Sequence, residues 1–147
     1  MRLISNRLSG ARIVIVGAGA VGAVVAYRLA QAGASVTLVE RYYPGGGTTG
    51  NSFAWLNSFR KLPRHYHQLN VRSIRAYQDL ALELGGAWLH LDGALHWARA
   101  SAEAETLRAN VRRLREWGYR MEVATPQQAV RDLEPDLQVP GDVEEVY

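Results

Sequence analysis

The feature that most constrains this chain is the G-x-G-x-x-G pattern in "VGAGAVG", which places glycine at positions 17, 19 and 22. The β-branched run "ARIVIV" (11–16) precedes it, and a small-residue segment (20–32) typical of a helix follows it. A short β-branched run that ends at glycine favours a strand buried in a parallel sheet. A second run, "SVTLV" (35–39), comes after Gly33, which we expect to end the helix. Strand, helix and strand within about 30 residues predict a βαβ unit.

Each glycine has a physical role in a turn that binds a dinucleotide. Gly17 permits the tight turn out of the strand, Gly19 lets the backbone approach a pyrophosphate, and Gly22 lets the helix pack closely on the strand. The helix that begins at Ala20 offers unpaired N–H groups and the positive end of its dipole to the phosphates. Glu40 follows the second strand, where its carboxylate can accept hydrogen bonds from both ribose hydroxyls and repels a 2′-phosphate. The alternative is a glycine-rich turn without a nucleotide, and the complete context favours binding.

The segment after Glu40 bears on which dinucleotide is bound. An NAD-dependent dehydrogenase normally continues into another β-α unit of the same sheet. This chain instead enters the loop "RYYPGGGTTGN" (41–51) and then a long helix over 63–84, which Gly85 and Gly86 end. On their own, the threonines and the asparagine of the loop are ordinary turn formers.

The chain resembles the D-amino-acid oxidase and glycine oxidase family of flavoproteins, the DAO family of FAD-dependent oxidoreductases. The resemblance covers essentially the whole chain, and it includes the first glycine turn, Glu40, the loop "GTTGNS" (47–52), the helix near Pro63, "GALHWA" (93–98) and "DLEPDL" (132–137). The first two features occur in many flavoproteins, whereas their combination with the second glycine loop is more specific. The resemblance implies an α/β fold, with a Rossmann-like FAD-binding βαβ unit and parallel sheet in residues 1–84. The start of a mixed α+β substrate domain would follow in residues 85–147.

The resemblance also implies which residues hold FAD. The adenosine diphosphate would lie on the first glycine turn, with Glu40 on the adenosine ribose and Arg41 beside the adenine. The second glycine loop would reach the pyrophosphate and the ribityl chain. The implied cofactor-binding residues are Gly17, Gly19, Ala20, Gly22, Glu40, Arg41, Gly47, Thr48, Thr49, Asn51 and Ser52. Some relatives attach the flavin to a histidine of the second loop; no histidine lies between Glu40 and Arg60, so we expect noncovalent FAD.

The family reaction is oxidation of an amine carbon by hydride transfer to the flavin, which implies a small amine or D-amino acid as substrate. In relatives an arginine and a tyrosine further along the chain hold the substrate carboxylate, and the catalytic residues of this chain stay unassigned. Because family members are considerably longer, we expect a fragment, a truncated product or one half of a split protein completed by a partner chain. We expect little or no turnover from it alone. Two alternatives stay open: an NAD-dependent dehydrogenase fragment, and a noncatalytic dinucleotide-binding subunit of a split or heteromeric enzyme.

Further elements are expected in the second half. "AWLHLDGALHWA" (87–98) predicts a hairpin with a type I′ turn at Asp92-Gly93 that places Trp88 opposite Trp97. We expect another strand over 119–124, and Thr125-Pro126-Gln127-Gln128 predicts a helix start. On the helix over 63–84, six residues are expected on one face: Tyr66, Leu69, Ser73, Tyr77, Leu80 and Leu84. On a helix over 101–117, four residues are expected to face inward: Leu107, Val111, Leu114 and Trp117.

Composition excludes several classes of function. The absence of cysteine excludes disulfides, thiolate metal sites and a cysteinyl-flavin bond within the 147 residues. A formal charge of +3, with the arginines spread along the chain, argues against nucleic-acid binding. No apolar run is long enough to cross a membrane, so we expect a cytoplasmic protein. His65 and His67 stand two residues apart on a helix and point in different directions, so we expect no metal site.

Overall fold

The computed structural model describes residues 8–99 and 101–147. The chain divides into two compact units, Met1–Trp55 and Leu56–Tyr147. The boundary expected between residues 84 and 85 separates a cofactor-binding part from a substrate-binding part. The division into compact units does not test it, so it stays a prediction. Along the chain the elements are β1 (Arg12–Val16), α1 (Ala20–Gln31), β2 (Ser35–Val39), α2 (Arg64–Leu84), α3 (Ser101–Glu116) and α4 (Pro126–Asp132). In the described ranges, no helix combines the length and the apolar character needed to cross a membrane.

The first unit is the predicted βαβ unit. β1 and β2 pair in parallel, with Ile13 opposite Val36 and Ile15 opposite Leu38. Helix α1 packs against both strands, and this arrangement confirms the Rossmann-like start of an α/β fold. Gly33 comes immediately after the C-cap residue Ala32 and has φ +93°, the left-handed conformation expected of a glycine that ends a helix.

The second unit has its largest hydrophobic cluster on α3. Leu107, Val111 and Leu114 are buried there together with Phe59, and Trp117 packs against them. The inward face predicted for this helix is therefore confirmed. Its residues recur three or four positions apart, which places them on one side of a helix with 3.6 residues per turn.

Helix α4 begins as the sequence predicts. The Thr125 hydroxyl accepts a hydrogen bond from the Gln128 N–H at 3.2 Å, and the Gln128 side chain accepts one from the Thr125 N–H at 2.9 Å. With Pro126 at the first helical position, these reciprocal bonds form a complete capping box.

Helix α2 has close to the predicted length, so the six residues expected on one face do share a side of it, but most of that side is not buried. Tyr66, Leu69 and Leu84 are exposed, and the buried residues of the helix are His67, Leu80 and Ala81. Helical spacing alone is compatible with burial of several neighbouring sides of a helix. In α2 the buried side includes a polar residue, His67. His67 is buried because its ring bonds to the buried hydroxyl of Ser58 at 2.7 Å.

The hairpin predicted over 87–98 is wrong, since no strand is formed there. A type I′ turn needs positive φ at both central residues, whereas Gly93 has φ +101° and Asp92 is not in the positive region. The second arm bonds elsewhere: the backbones of His96 and Tyr147 exchange two hydrogen bonds, at 2.8 and 2.9 Å. The expected pairing of Trp88 with Trp97 is therefore absent from the described structure.

The strand predicted over 119–124 is also wrong, because only Ala124 forms a β-bridge, antiparallel to Val146. Val146 is 1% exposed and packs with Ala129 and Val143 in a second hydrophobic cluster. The segment around Val146 therefore bonds to both regions predicted as strands, as single bridges rather than as a continuous ladder.

Val111→Ala should lower the free energy of unfolding of the second unit by about 2 kcal/mol, because it leaves a cavity at the centre of the α3 cluster. Urea unfolding followed by tryptophan fluorescence, to which Trp117 on that cluster contributes, measures the change. Glu116→Ala, an exposed position on the same helix, is the matched control and should change stability by less than about 0.5 kcal/mol. Equal effects of the two substitutions would contradict this assignment of the core.

Candidate functional site

The turn between β1 and α1 depends on two of its glycines for steric reasons. Gly17 has φ +103°, and its N–H donates to the Val39 carbonyl at 2.7 Å, which continues the pairing of the strands into the turn. A Cβ on Gly22 would lie 1.9 Å from the Gly17 carbonyl oxygen, so only glycine allows α1 to pack this closely. The roles predicted for the first and third glycines agree with this geometry.

Glu40 holds the backbone of the turn through its carboxylate. Its Oε2 accepts from the Ala18 N–H at 2.8 Å, and its Oε1 accepts from the N–H groups of Arg41 at 2.7 Å and Tyr42 at 3.1 Å. These three bonds, first that of Ala18, lower the pKa of Glu40 below its usual value, so the side chain is ionised at neutral pH. A carboxylate has about four acceptor positions. While the three bonds persist, one position, on Oε2, is left for a ribose hydroxyl.

The second glycine loop lies across the first turn and is bonded to it at two points. The Gly45 N–H donates to the Ala18 carbonyl at 2.9 Å, and the Thr49 hydroxyl accepts from the Ala20 N–H at 3.0 Å. A Cβ on Gly19 would lie 3.0 Å from that hydroxyl oxygen, with no other contact within 4 Å. A side chain at Gly19 would therefore press against the Thr49 hydroxyl.

Internal bonds fix the shape of the second glycine loop. The Gly50 N–H donates to the Gly45 carbonyl at 2.7 Å, and a Cβ on Gly50 would lie 2.6 Å from the same oxygen. The Asn51 side-chain amide donates to the Gly47 carbonyl at 3.0 Å, and the Ser52 hydroxyl donates to the Thr49 carbonyl at 3.1 Å. Asn51 and Ser52 thus brace the loop in this structure.

Two of the implied cofactor residues differ from the others in their contacts. The Thr48 side chain has no hydrogen-bond partner in the described part of the chain, unlike its neighbour Thr49. The Arg41 guanidinium lies 4.5 Å from the centre of the Tyr42 ring, which holds it beside Glu40. The structure therefore gathers the eleven implied residues around the first turn and the loop that covers it.

Sequence reasoning missed three residues that build this site: Ala18, Gly45 and Gly50. Ala18 is 5% exposed and supplies both the N–H that Glu40 holds and the carbonyl that Gly45 reaches. Its backbone role leaves no mark on the side chain, so no sequence signal could identify it. Gly45 and Gly50 belong to the visible glycine cluster, but the pattern does not indicate which members bond to each other.

The N-terminus of α1 fits the pyrophosphate of a dinucleotide. The N–H groups of Val21 and Gly22 have no acceptor among residues 8–99 and 101–147, and the first turn of α1 carries no acidic side chain. These two unpaired donors lie at the positive end of the helix dipole, an arrangement that favours an anion. The same described residues contain no group of three or more His, Cys, Asp or Glu that could hold a metal ion.

Comparisons with known proteins agree with this geometry. The model of the "FAD dependent oxidoreductase" family, DAO, matches residues 12–146. The chain is also 40% identical over 74 residues to the "Uncharacterized oxidoreductase YurR" of Bacillus subtilis (strain 168), an alignment that covers 48% of this chain. The matched part of the chain spans 19% of the length of that relative. Since the family model covers nearly the whole chain, this protein belongs to the DAO family of FAD-dependent oxidoreductases.

Proposed function

We propose that the first unit binds FAD noncovalently, as part of a flavoprotein that oxidises an amine or a D-amino acid. The observation that carries the proposal is the N-terminus of α1, where the N–H groups of Val21 and Gly22 have no acceptor among the described residues, next to the Thr49 hydroxyl bonded to Ala20. The family implies FAD as the cofactor. The amine substrate class is our inference from the resemblance to D-amino-acid and glycine oxidases.

The pyrophosphate would be held by backbone and hydroxyl donors rather than by a positive side chain. The free N–H groups of Val21 and Gly22 point from the helix end, where the dipole favours negative charge. The Thr49 oxygen already accepts from the Ala20 N–H, so the hydroxyl hydrogen is directed away from that bond. We propose that this hydrogen is donated to a phosphate oxygen, which adds a third donor to the two backbone groups.

The ribose and adenine would be held at the end of β2. Glu40 would accept one ribose hydroxyl on the remaining position of Oε2, and its charge would repel a 2′-phosphate. Arg41, stacked on Tyr42, would lie beside the adenine. In the second loop, Gly47 and Thr48 would approach the ribityl chain, and Asn51 and Ser52 would keep the loop in position through the bonds described above.

FAD, when bound, supplies the acceptor for a hydride from the carbon beside the substrate nitrogen. The residues described here supply position and electrostatics to that reaction. Noncovalent attachment is supported by the absence of cysteine from the sequence and of histidine between Glu40 and Arg60.

Gly19→Val should abolish FAD binding, because a branched side chain would fill the space where the pyrophosphate must lie. The absorption spectrum of the purified chain after incubation with FAD and gel filtration measures retained flavin. Gly141→Val is the matched control, since a Cβ there meets no atom within 4 Å and the position lies in the second unit. If Gly19→Val retains as much flavin as the parent chain, the proposed site is wrong.

Thr49→Val should weaken FAD binding about tenfold, the effect of losing one charge-assisted hydrogen bond of about 1.4 kcal/mol. Thr37→Val makes the same chemical change at an exposed threonine of β2 that has no side-chain hydrogen bond in the described structure, and it should change the Kd less than twofold. Titration by flavin fluorescence measures both. The hydroxyl assignment would be refuted by equal Kd values for the two variants.

The contribution of Glu40 to stability should depend on pH. The folded chain lowers the pKa of Glu40, so the ionised carboxylate stabilises the fold above the ordinary pKa of a glutamate and loses this effect as pH falls through the lowered pKa of the folded chain. The urea midpoint, followed by circular dichroism, should therefore be higher for the parent than for Glu40→Gln at pH 7, and the difference should shrink near pH 3. Glu116→Gln, without a carboxylate hydrogen bond in the described structure, is the control. A pH-independent difference would contradict the ionic role of Glu40.

A further inference from the structure

The dipeptide Asp92-Gly93 is exposed and lies in a segment without regular secondary structure, so it does not join two strands. Its glycine has φ +101°. Aspartate followed by glycine also has a chemistry of its own, because the backbone nitrogen of the second residue can attack the side-chain carboxyl carbon of the first. Glycine hinders this attack least, since it has no Cβ. The attack requires that this nitrogen and this carboxyl are free of other bonds.

Both reacting groups of the dipeptide are free of bonds to residues 8–99 and 101–147. The Gly93 N–H has no acceptor there, and no donor there reaches the Asp92 carboxylate. The nearest bonded backbone N–H groups along the chain are those of Leu89 and His96. A rearrangement between these two residues breaks no hydrogen bond, so the surrounding structure does not oppose it.

Asn51-Ser52 could react in the same way through its amide carbon, but the second glycine loop holds it. The Ser52 N–H, which would supply the attacking nitrogen, donates to the Thr49 carbonyl at 3.4 Å. The Asn51 side chain donates to the Gly47 carbonyl at 3.0 Å, which fixes the carbon that would be attacked. Both groups would have to leave these bonds before they could meet, so the folded loop slows the reaction.

Asn57-Ser58 is the third dipeptide of this kind, and burial protects it. Ser58 is 0% exposed, and its N–H donates to the Tyr119 hydroxyl at 3.4 Å. Its hydroxyl donates to the His67 carbonyl at 3.0 Å, so its side chain and its backbone are both held. Every other aspartate or asparagine of the sequence precedes leucine, valine or arginine, whose side chains hinder the attack. Of the three dipeptides, the described structure leaves Asp92-Gly93 open.

We propose that Asp92 is a modification site, at which the backbone isomerises to isoaspartate. The Gly93 nitrogen forms a bond to the side-chain carboxyl carbon of Asp92, and the carboxyl hydroxyl leaves with the proton of that nitrogen as water. The product is a five-membered succinimide ring. Water then breaks the bond between the Gly93 nitrogen and the backbone carbonyl carbon of Asp92, so the chain continues through the side chain and the α-carboxylate becomes free. One water is lost and one is gained, and nothing is oxidised or reduced.

The free α-carboxylate of isoaspartate is the group that isoaspartyl methyltransferases esterify with the methyl group of S-adenosylmethionine. Such an enzyme needs an accessible stretch of backbone. Residues 90–94 are exposed, and their backbone has no hydrogen bonds within the described part of the chain. The modified segment therefore fits this class of enzyme as a partner. The inference concerns the second unit alone and does not depend on the binding of FAD.

The test is incubation of the full 147-residue chain for several weeks at physiological temperature and pH, once folded and once in urea. An isoaspartyl methyltransferase and S-adenosylmethionine with a tritiated methyl group then label the isoaspartate, and peptide mapping locates the label. In the folded chain the label should be found on the peptide that contains Asp92. In urea the peptides of Asn51 and Asn57 should be labelled as well, because the bonds that protect them are lost.

Two matched variants assign the label to one aspartate. Asp92→Glu should abolish the label of the folded chain, because the longer side chain would have to close a six-membered ring. Asp79→Glu is the same change within α2 and should leave the label unchanged. Asp79 and Asp92 lie on the same tryptic peptide, residues 76–99, so the comparison distinguishes them where peptide mapping alone does not.

The inference is overturned if the folded chain gains no label, or if Asp92→Glu retains as much label as Asp79→Glu. It is also overturned if the peptides of Asn51 and Asn57 are labelled as strongly in the folded chain as in urea, because the fold would then protect neither. Label that is confined to the Asp92 peptide in the folded chain, and that spreads to the other two in urea, supports the inference.

Discussion

The first unit depends on the contact between the Glu40 carboxylate and the backbone of the glycine turn. A parallel strand pair leaves the ends of both strands at one edge, and here a single side chain bonds to both: to Ala18 after β1 and to Arg41 and Tyr42 after β2. The N–H groups that the turn exposes would otherwise need water. Because the carboxylate satisfies them without a ligand, the turn can keep its shape before a dinucleotide arrives.

The second glycine loop completes this arrangement through backbone contacts that only small residues permit. Gly45 bonds to Ala18, Thr49 bonds to Ala20, and the Thr49 hydroxyl lies 3.0 Å from where a Cβ on Gly19 would stand. Any side chain at Gly19 would meet the Thr49 hydroxyl, so the glycine serves the packing of the loop, and in the proposed complex it would also let a phosphate approach. Gly19 therefore has a steric role in the packing of the loop and a predicted role in the binding of a dinucleotide.

The sequence predicted the parts of the structure that depend on local chemistry. The βαβ unit, the inward face of α3 and the capping box at Thr125 follow from residue types at short spacing. The hairpin at Asp92-Gly93 failed because the turn dipeptide cannot determine which segment its flanks will bond, and His96 pairs with Tyr147 instead. Likewise, the buried side of α2 includes His67, whose ring bonds to Ser58. Ser58 lies outside the helix, so the periodicity of the helix sequence could not predict this contact.

Residues with positive φ mark the tight turns of the chain, and at one of these turns, Arg60, the residue carries a long side chain. Most such positions are glycines, as at Gly17, Gly33 and Gly45, where no Cβ opposes the turn. Within residues 8–99 and 101–147 there are two exceptions; one is Ala54, which has a small side chain and whose N–H donates to the Ser52 hydroxyl at 3.3 Å. Arg60 is the other, and glycine there would form the same turn with less strain. The guanidinium on Phe59 is therefore what distinguishes this position, and a shape requirement alone does not explain it.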